Sequence, residues 1–140
     1  MSTERGRRRP LSSFLVRGAA LGAGLAAVAA ARRWLDVVEV QGNSMAPTLL
    51  PGEWLLVERR TYARRSPCVG EIVLAADPRE PTRELIKRVV SVDEAAGTLE
   101  LRGDAPEAST DSRAFGALPV TAARWRVVGR YWPPPRVGRP

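Results

Sequence analysis

From Trp34 onward the chain alternates short β-branched, apolar runs with Pro/Gly-rich breaks, a rhythm that points to an all-β domain. Strands are expected at 36–41 (DVVEVQ), 53–58 (EWLLVE), 71–75 (EIVLA), 83–92 (RELIKRVVSV), 98–102 (TLELR) and 124–131 (RWRVVGRY). Turns fall at 51–52, 67–70, 77–81, 93–97 and 103–106, and the proline run 133–135 is expected to end the fold. With 140 residues there is room for one small domain and one modest core.

The N-terminal part reads differently. Residues 1–10 (MSTERGRRRP) are polar and basic and are expected to be disordered. From Leu11 to Ala31 the chain is apolar except for Ser12, Ser13 and Arg17. The uninterrupted run 18–31 would make a helix of about 21 Å, short of a hydrocarbon core of about 30 Å. Counting from Leu11 gives 21 residues, enough to span, with Arg17 near one end where it can snorkel to the headgroups. An uncleaved membrane anchor, a cleavable export signal and a surface-packed helix compete for this segment, and the anchor is the preferred reading. The domain plan is then a basic N-terminus (1–10), an anchor helix (11–33) and a β domain (34–135). Arg5, Arg7, Arg8 and Arg9 before the helix, against Arg32 and Arg33 after it, place the N-terminus in the cytoplasm and the body outside.

The same division disposes of a nucleic-acid reading of the net charge of +7. Residues 1–33 carry seven arginines and one acid, while residues 34–140 carry 15 basic and 14 acidic residues. A nearly neutral body lacks the electrostatic footprint that phosphate binding requires.

Histidine is absent and Cys68 is the single cysteine, so imidazole-based triads, His-ligated metals, Cys clusters and an internal disulfide are all excluded. Neither metal nor cofactor is expected. Of the 22 basic residues 21 are arginine, an excess that coding bias explains, and Lys87 is the one lysine. Strand alternation puts Leu85, Lys87, Val89 and Ser91 on one face, so the lysine sits between apolar neighbours. Desolvation lowers an amine pKa, and a neutral amine can take a proton from a serine hydroxyl where arginine cannot. A lysine snorkelling to solvent at a strand edge is the competing reading.

Ser44 follows a strand in VQGNSMAPTLLPG (40–52), a position where a hydroxyl can stand exposed beside outward-facing backbone N–H groups; a turn or capping serine is the plain alternative. In GDAPEASTDSRAFGALP (103–119), Ser109 could hold an amine and Asp111 with Arg113 could brace a loop.

Together these segments resemble the type I signal peptidases, serine-lysine endopeptidases that include the mitochondrial inner-membrane peptidases. The family carries a G-x-S-M-x-P-T block, a K-R-V block and a G-D-N-x-x-x-S-x-D-S-R-x-x-G block in that order. Here they stand as Gly42-Asn43-Ser44-Met45-Ala46-Pro47-Thr48, Lys87-Arg88-Val89, and Gly103-Asp104 through Ser109, Asp111-Ser112-Arg113 and Gly116. The resemblance implies a mostly antiparallel, barrel-like β fold with a groove for an extended protein substrate carrying an N-terminal extension, small side chains filling pockets beside the cleaved bond. It implies Ser44 as nucleophile, Lys87 as general base, Ser109 orienting the amine, Asp111 and Arg113 as a supporting ion pair and Asp104 nearby. Ala105 replaces the usual asparagine, and Gly42 replaces a serine that completes the oxyanion hole in some members, leaving the hole to the Ser44 N–H and Asn43. The compact length and the 103–116 stretch look like the nickel superoxide dismutase maturation proteases within the family. A catalytically silent peptide-binding module of the same fold is the alternative. An autoproteolytic repressor would need a DNA-binding domain for which 1–33 shows no pattern.

Overall fold

The computed structural model describes the backbone of residues 12–140 and the side chains of residues 22–140. The basic segment 1–10 lies outside the described residues. Helix α1 spans Ser12–Arg32, its described side chains exposed. Among the described residues no helix is long and apolar enough to cross a membrane.

The second unit, Trp34–Pro140, is built on one seven-stranded antiparallel sheet. Its strands are β1 (Leu35–Glu39), β2 (Trp54–Glu58), β3 (Ile72–Ala76), β4 (Glu84–Asp93), β5 (Thr98–Arg102), β6 (Leu118–Pro119) and β7 (Ala123–Trp132). The spatial order is β1-β2-β7-β3-β4-β5-β6, so β7 returns from the end of the chain to lie between β2 and β3. A four-residue helix, α2 (Ser112–Phe115), follows β5. Six strands fall within two residues of their expected places; β6, two residues long, was not anticipated and is too short for alternation to show.

Both faces of the sheet are covered, which is why β3 reads as a continuous apolar run rather than an alternating one. On one face Ile72 and Leu74 pack with Val40, Met45, Leu49, Leu55, Val57 and Val127. On the other Val73 and Ala75 pack with Val89, Leu99, Leu101, Leu118 and Ala123. The sheet curls into a half-barrel, bringing the end of β1 and the start of β4 onto one cleft although three strands separate them in the sheet.

Two expectations need correction. Leu85, Lys87 and Val89 are buried as alternation requires, but a register shift between Val89 and Ser91 in the β4–β5 ladder leaves Ser91 exposed. The proline run does not end the fold. Beyond it the chain doubles back and pairs Gly138 with Arg130.

Candidate active site

Three chain segments meet at one cleft of about 230 Å³, lined by Asn43, Ser44, Lys87 and Thr110, with Arg79 and Arg83 also on its wall. The first segment connects β1 to β2. Its base is closed by the Val40 N–H to Glu53 O (2.8 Å) and the Gly52 N–H to Val40 O (2.9 Å). Gly42, at φ +81°, turns the chain in a way that L side chains disfavour. The Ala46 N–H then donates to Asn43 O (3.0 Å) and the Leu49 N–H to Met45 O (2.9 Å), winding 44–48 into a turn. Met45 and Leu49, at 1% and 0% exposure, plug that turn into the core and leave Ser44 half-buried at the cleft.

The second segment is β4. Lys87 is 3% exposed and lies opposite Val73 of β3, itself fully buried. Burial pushes the Lys87 pKa below its ordinary value; Asp111 opposes the shift, and Arg113 and Arg83 add to it.

The third runs from the end of β5 into α2. Lys87 Nζ donates to Ser109 Oγ at 2.9 Å, and Ser109 Oγ donates to Asp111 Oδ2 at 2.7 Å. Asp111 is buried and also accepts from the Gly103 N–H (2.9 Å), the Arg113 N–H (3.1 Å) and the Arg113 guanidinium (2.9 and 2.5 Å), capping α2. Burial raises the Asp111 pKa, but the hydrogen bonds from Arg113, Gly103 and Ser109 outweigh it and hold the carboxyl well below its usual range. The consequence is a fixed polarity. An ionised carboxylate only accepts, so the single Ser109 proton goes to Asp111 and Ser109 presents a lone pair to the amine. Lys87 must donate to it, and when neutral keeps its own lone pair for another partner in the cleft.

Asp104 sits one position from this network. Arg88 grips it through two bonds, of 3.0 and 2.8 Å, and holds its pKa down. The neighbouring Ala105 N–H donates to Ser44 O at 3.0 Å, tying this segment to the one that carries Ser44. The structure thus gathers Asn43, Ser44, Lys87, Ser109, Asp111 and Arg113 in one region, with Asp104 bracing its edge.

Sequence reasoning missed two features. Gly103 admits no side chain, because a Cβ there would lie 2.3 Å from Ser109 Oγ and 2.4 Å from Ser44 O. Its place in the G-D pair was a signal, but the reason for it is tertiary. Arg79 and Arg83 on the cleft wall had no sequence signal; Arg79 binds the buried Asp77 through two bonds and takes its pKa down to about 2. Among the described residues no group of three or more Cys, Asp or Glu side chains could hold a metal ion.

The family model described as signal peptidase, peptidase S26, matches residues 14–93, which contain Ser44 and Lys87. The mitochondrial ATP-independent inner membrane protease subunit 1a of Arabidopsis thaliana is 32% identical over 125 residues, covering 74% of each chain. The mitochondrial inner membrane protease subunit 1 of Homo sapiens is 28% identical over 115 residues, covering 69% of each. Signal peptidase I of Aquifex aeolicus is 35% identical over 52 residues, 37% of this chain and 20% of that protein.

Proposed function

The chain belongs to the signal peptidase family, peptidase S26, and we propose that within it this protein is a serine endopeptidase with Ser44 as nucleophile and Lys87 as general base. The observation that carries the reading is the placement of the single lysine: 3% exposed, tethered to Ser109 and lining the same cleft as Ser44.

As the Ser44 hydroxyl attacks the scissile carbonyl, neutral Lys87 takes its proton and then delivers it to the leaving amine. The Ser44 N–H, with Asn43 beside it, stabilises the oxyanion. Ser109 keeps the amine oriented, and Asp111, braced by Arg113, keeps Ser109 oriented. The substrate is a protein whose N-terminal extension lies extended in the cleft, with small residues at the first and third positions before the cut; a nickel superoxide dismutase precursor is a candidate. Attachment to a membrane through 11–33 is supported by the 21 residues from Leu11 to Ala31 and by relatives named for an inner membrane, and the excess of Arg5, Arg7, Arg8 and Arg9 over Arg32 and Arg33 favours the extracytoplasmic side for the catalytic unit.

An internally quenched peptide with Ala at those two positions tests the reading. Ser44→Ala and Lys87→Arg should each lose cleavage by a factor of about 100 or more, since arginine keeps the charge but cannot act as a base. A folded Lys87→Arg protein cleaving at the parent rate would reject the Ser/Lys pair and favour a silent binding module.

A further inference from the structure

After β7 ends at Trp132 the chain makes a turn at Pro134–Arg136 and comes back alongside β7. The Arg130 N–H donates to Gly138 O (2.7 Å) and the Gly138 N–H to Arg130 O (2.9 Å), so the returning segment is fixed by its own ladder. Arg130 Nε donates to Arg136 O. From that position the Arg136 guanidinium donates to Pro47 O and Thr48 O, both at 3.1 Å. Arg130 donates to Thr48 O as well, at 2.8 Å. These carbonyls belong to the turn that begins at Ser44.

What holds the arginines there is Glu53, only 3% exposed. Its Oε2 accepts from the Leu50 N–H at 2.9 Å and from Arg130 at 3.3 Å. Its Oε1 lies 3.0 Å from Arg136 Nε as an ion pair but accepts no hydrogen bond among the described residues. A buried carboxylate needs cations beside it, and once they are there their spare N–H groups must find acceptors. The carbonyls of Pro47 and Thr48 are those acceptors.

We propose that Arg136 is a positioning residue for catalysis, with the returning segment 133–140 serving as a strap that fixes the Ser44 turn through the carbonyls of Pro47 and Thr48. The proposal rests on the Ser/Lys reading. An oxyanion hole built from backbone N–H groups works only if their peptide planes are fixed before the reaction, and small displacements cost rate far more than binding. On one side the Ser44 turn is held by the Ala105 N–H on Ser44 O. Arg136 and Arg130 hold it on the other. Arg130 still pairs with Glu53, and Met45 and Leu49 are anchored in a core cluster that does not include Arg136, so its loss is expected to loosen the turn without opening the core.

The test uses the full chain, the quenched Ala-x-Ala peptide and amide hydrogen exchange on the parent, Arg136→Ala and Arg136→Lys. Arg136→Ala should lower kcat roughly tenfold with KM within about twofold. Exchange should quicken across 43–49 and stay at the parent rate across β4, and the pH at which activity rises should not move, because Lys87 is untouched. Arg136→Lys, which reaches one carbonyl but not both together with Glu53, should recover part of kcat. A parent-like kcat in Arg136→Ala, or a loss accompanied by faster exchange throughout the sheet, would overturn the proposal. Cleavage that survives Ser44→Ala would instead sink the Ser/Lys reading, and the local exchange measurement would still decide whether the strap braces the turn.

Discussion

Lys87 on β4 and Ser109, 22 residues later, are joined by a 2.9 Å hydrogen bond whose direction Asp111 dictates. The amine is therefore constrained in position by a hydroxyl and in pKa by its burial, two different controls with separable consequences.

The first consequence is a pH profile. Burial lowers the Lys87 pKa from 10.5, so cleavage should rise as pH climbs through that lowered value, with its midpoint below 10.5. The stability sign is the reverse of an ordinary ion pair. The unfolded chain binds this proton more tightly, so the cost of burying charged Lys87 is present at low pH and relieved as pH rises toward 10.5. Lys87→Met should remove that upward trend in stability. A kcat–pH curve with its midpoint at or above the ordinary lysine value would contradict the burial argument.

Ser109 and Asp111 should separate orientation from architecture. Ser109→Ala leaves the fold intact and should cost about tenfold in kcat, less than loss of the base itself. Asp111→Ala orphans the buried Gly103 N–H, a loss of roughly 1–3 kcal/mol in denaturant unfolding, and should also abolish cleavage. Because the folded Asp111 pKa lies below 3.8, its contribution is present above that value and lost as pH falls toward and through the folded pKa. Asp111→Ala should therefore flatten the acid side of the stability curve. An unchanged acid slope would show that other carboxylates govern it.

Gly103→Ala should be more damaging than its size suggests. The added Cβ meets Ser109 Oγ and the Ser44 carbonyl at separations that real contacts do not reach, and one of the two is backbone. A stability loss of about 1–3 kcal/mol and a fall in kcat of about 100-fold are expected, measured by thermal unfolding and peptide cleavage. If the variant folds normally and cleaves at more than about half the parent rate, the two segments are not locked together as described.

The anchor proposal is tested by fractionation. The full chain should sediment with membranes and resist carbonate extraction, while a chain starting at Trp34 should become largely soluble. Recovery of the full chain in the soluble fraction would reject it, and a mature protein beginning near Arg32 would point to a cleaved export signal.

Much of this molecule was written in local sequence. Strand positions followed from β-branched runs and Pro/Gly breaks, and the burial of Lys87 followed from a period of two, because both depend on residues close along the chain. Ser44, Lys87 and the Ser109–Arg113 stretch stood out through residue type and order. Local pattern breaks down where the ladder slips, as at Ser91, and where an element is as short as β6. The remainder was decided by the curl of the sheet: that the end of β1 meets β4, that Gly103 has no room for a methyl group between Ser44 and Ser109, and that Arg136 returns past a proline run to hold Pro47 and Thr48. Those relations join residues up to 89 positions apart, and they exist only once both faces of the sheet are buried, so no window of sequence contains the signal for them.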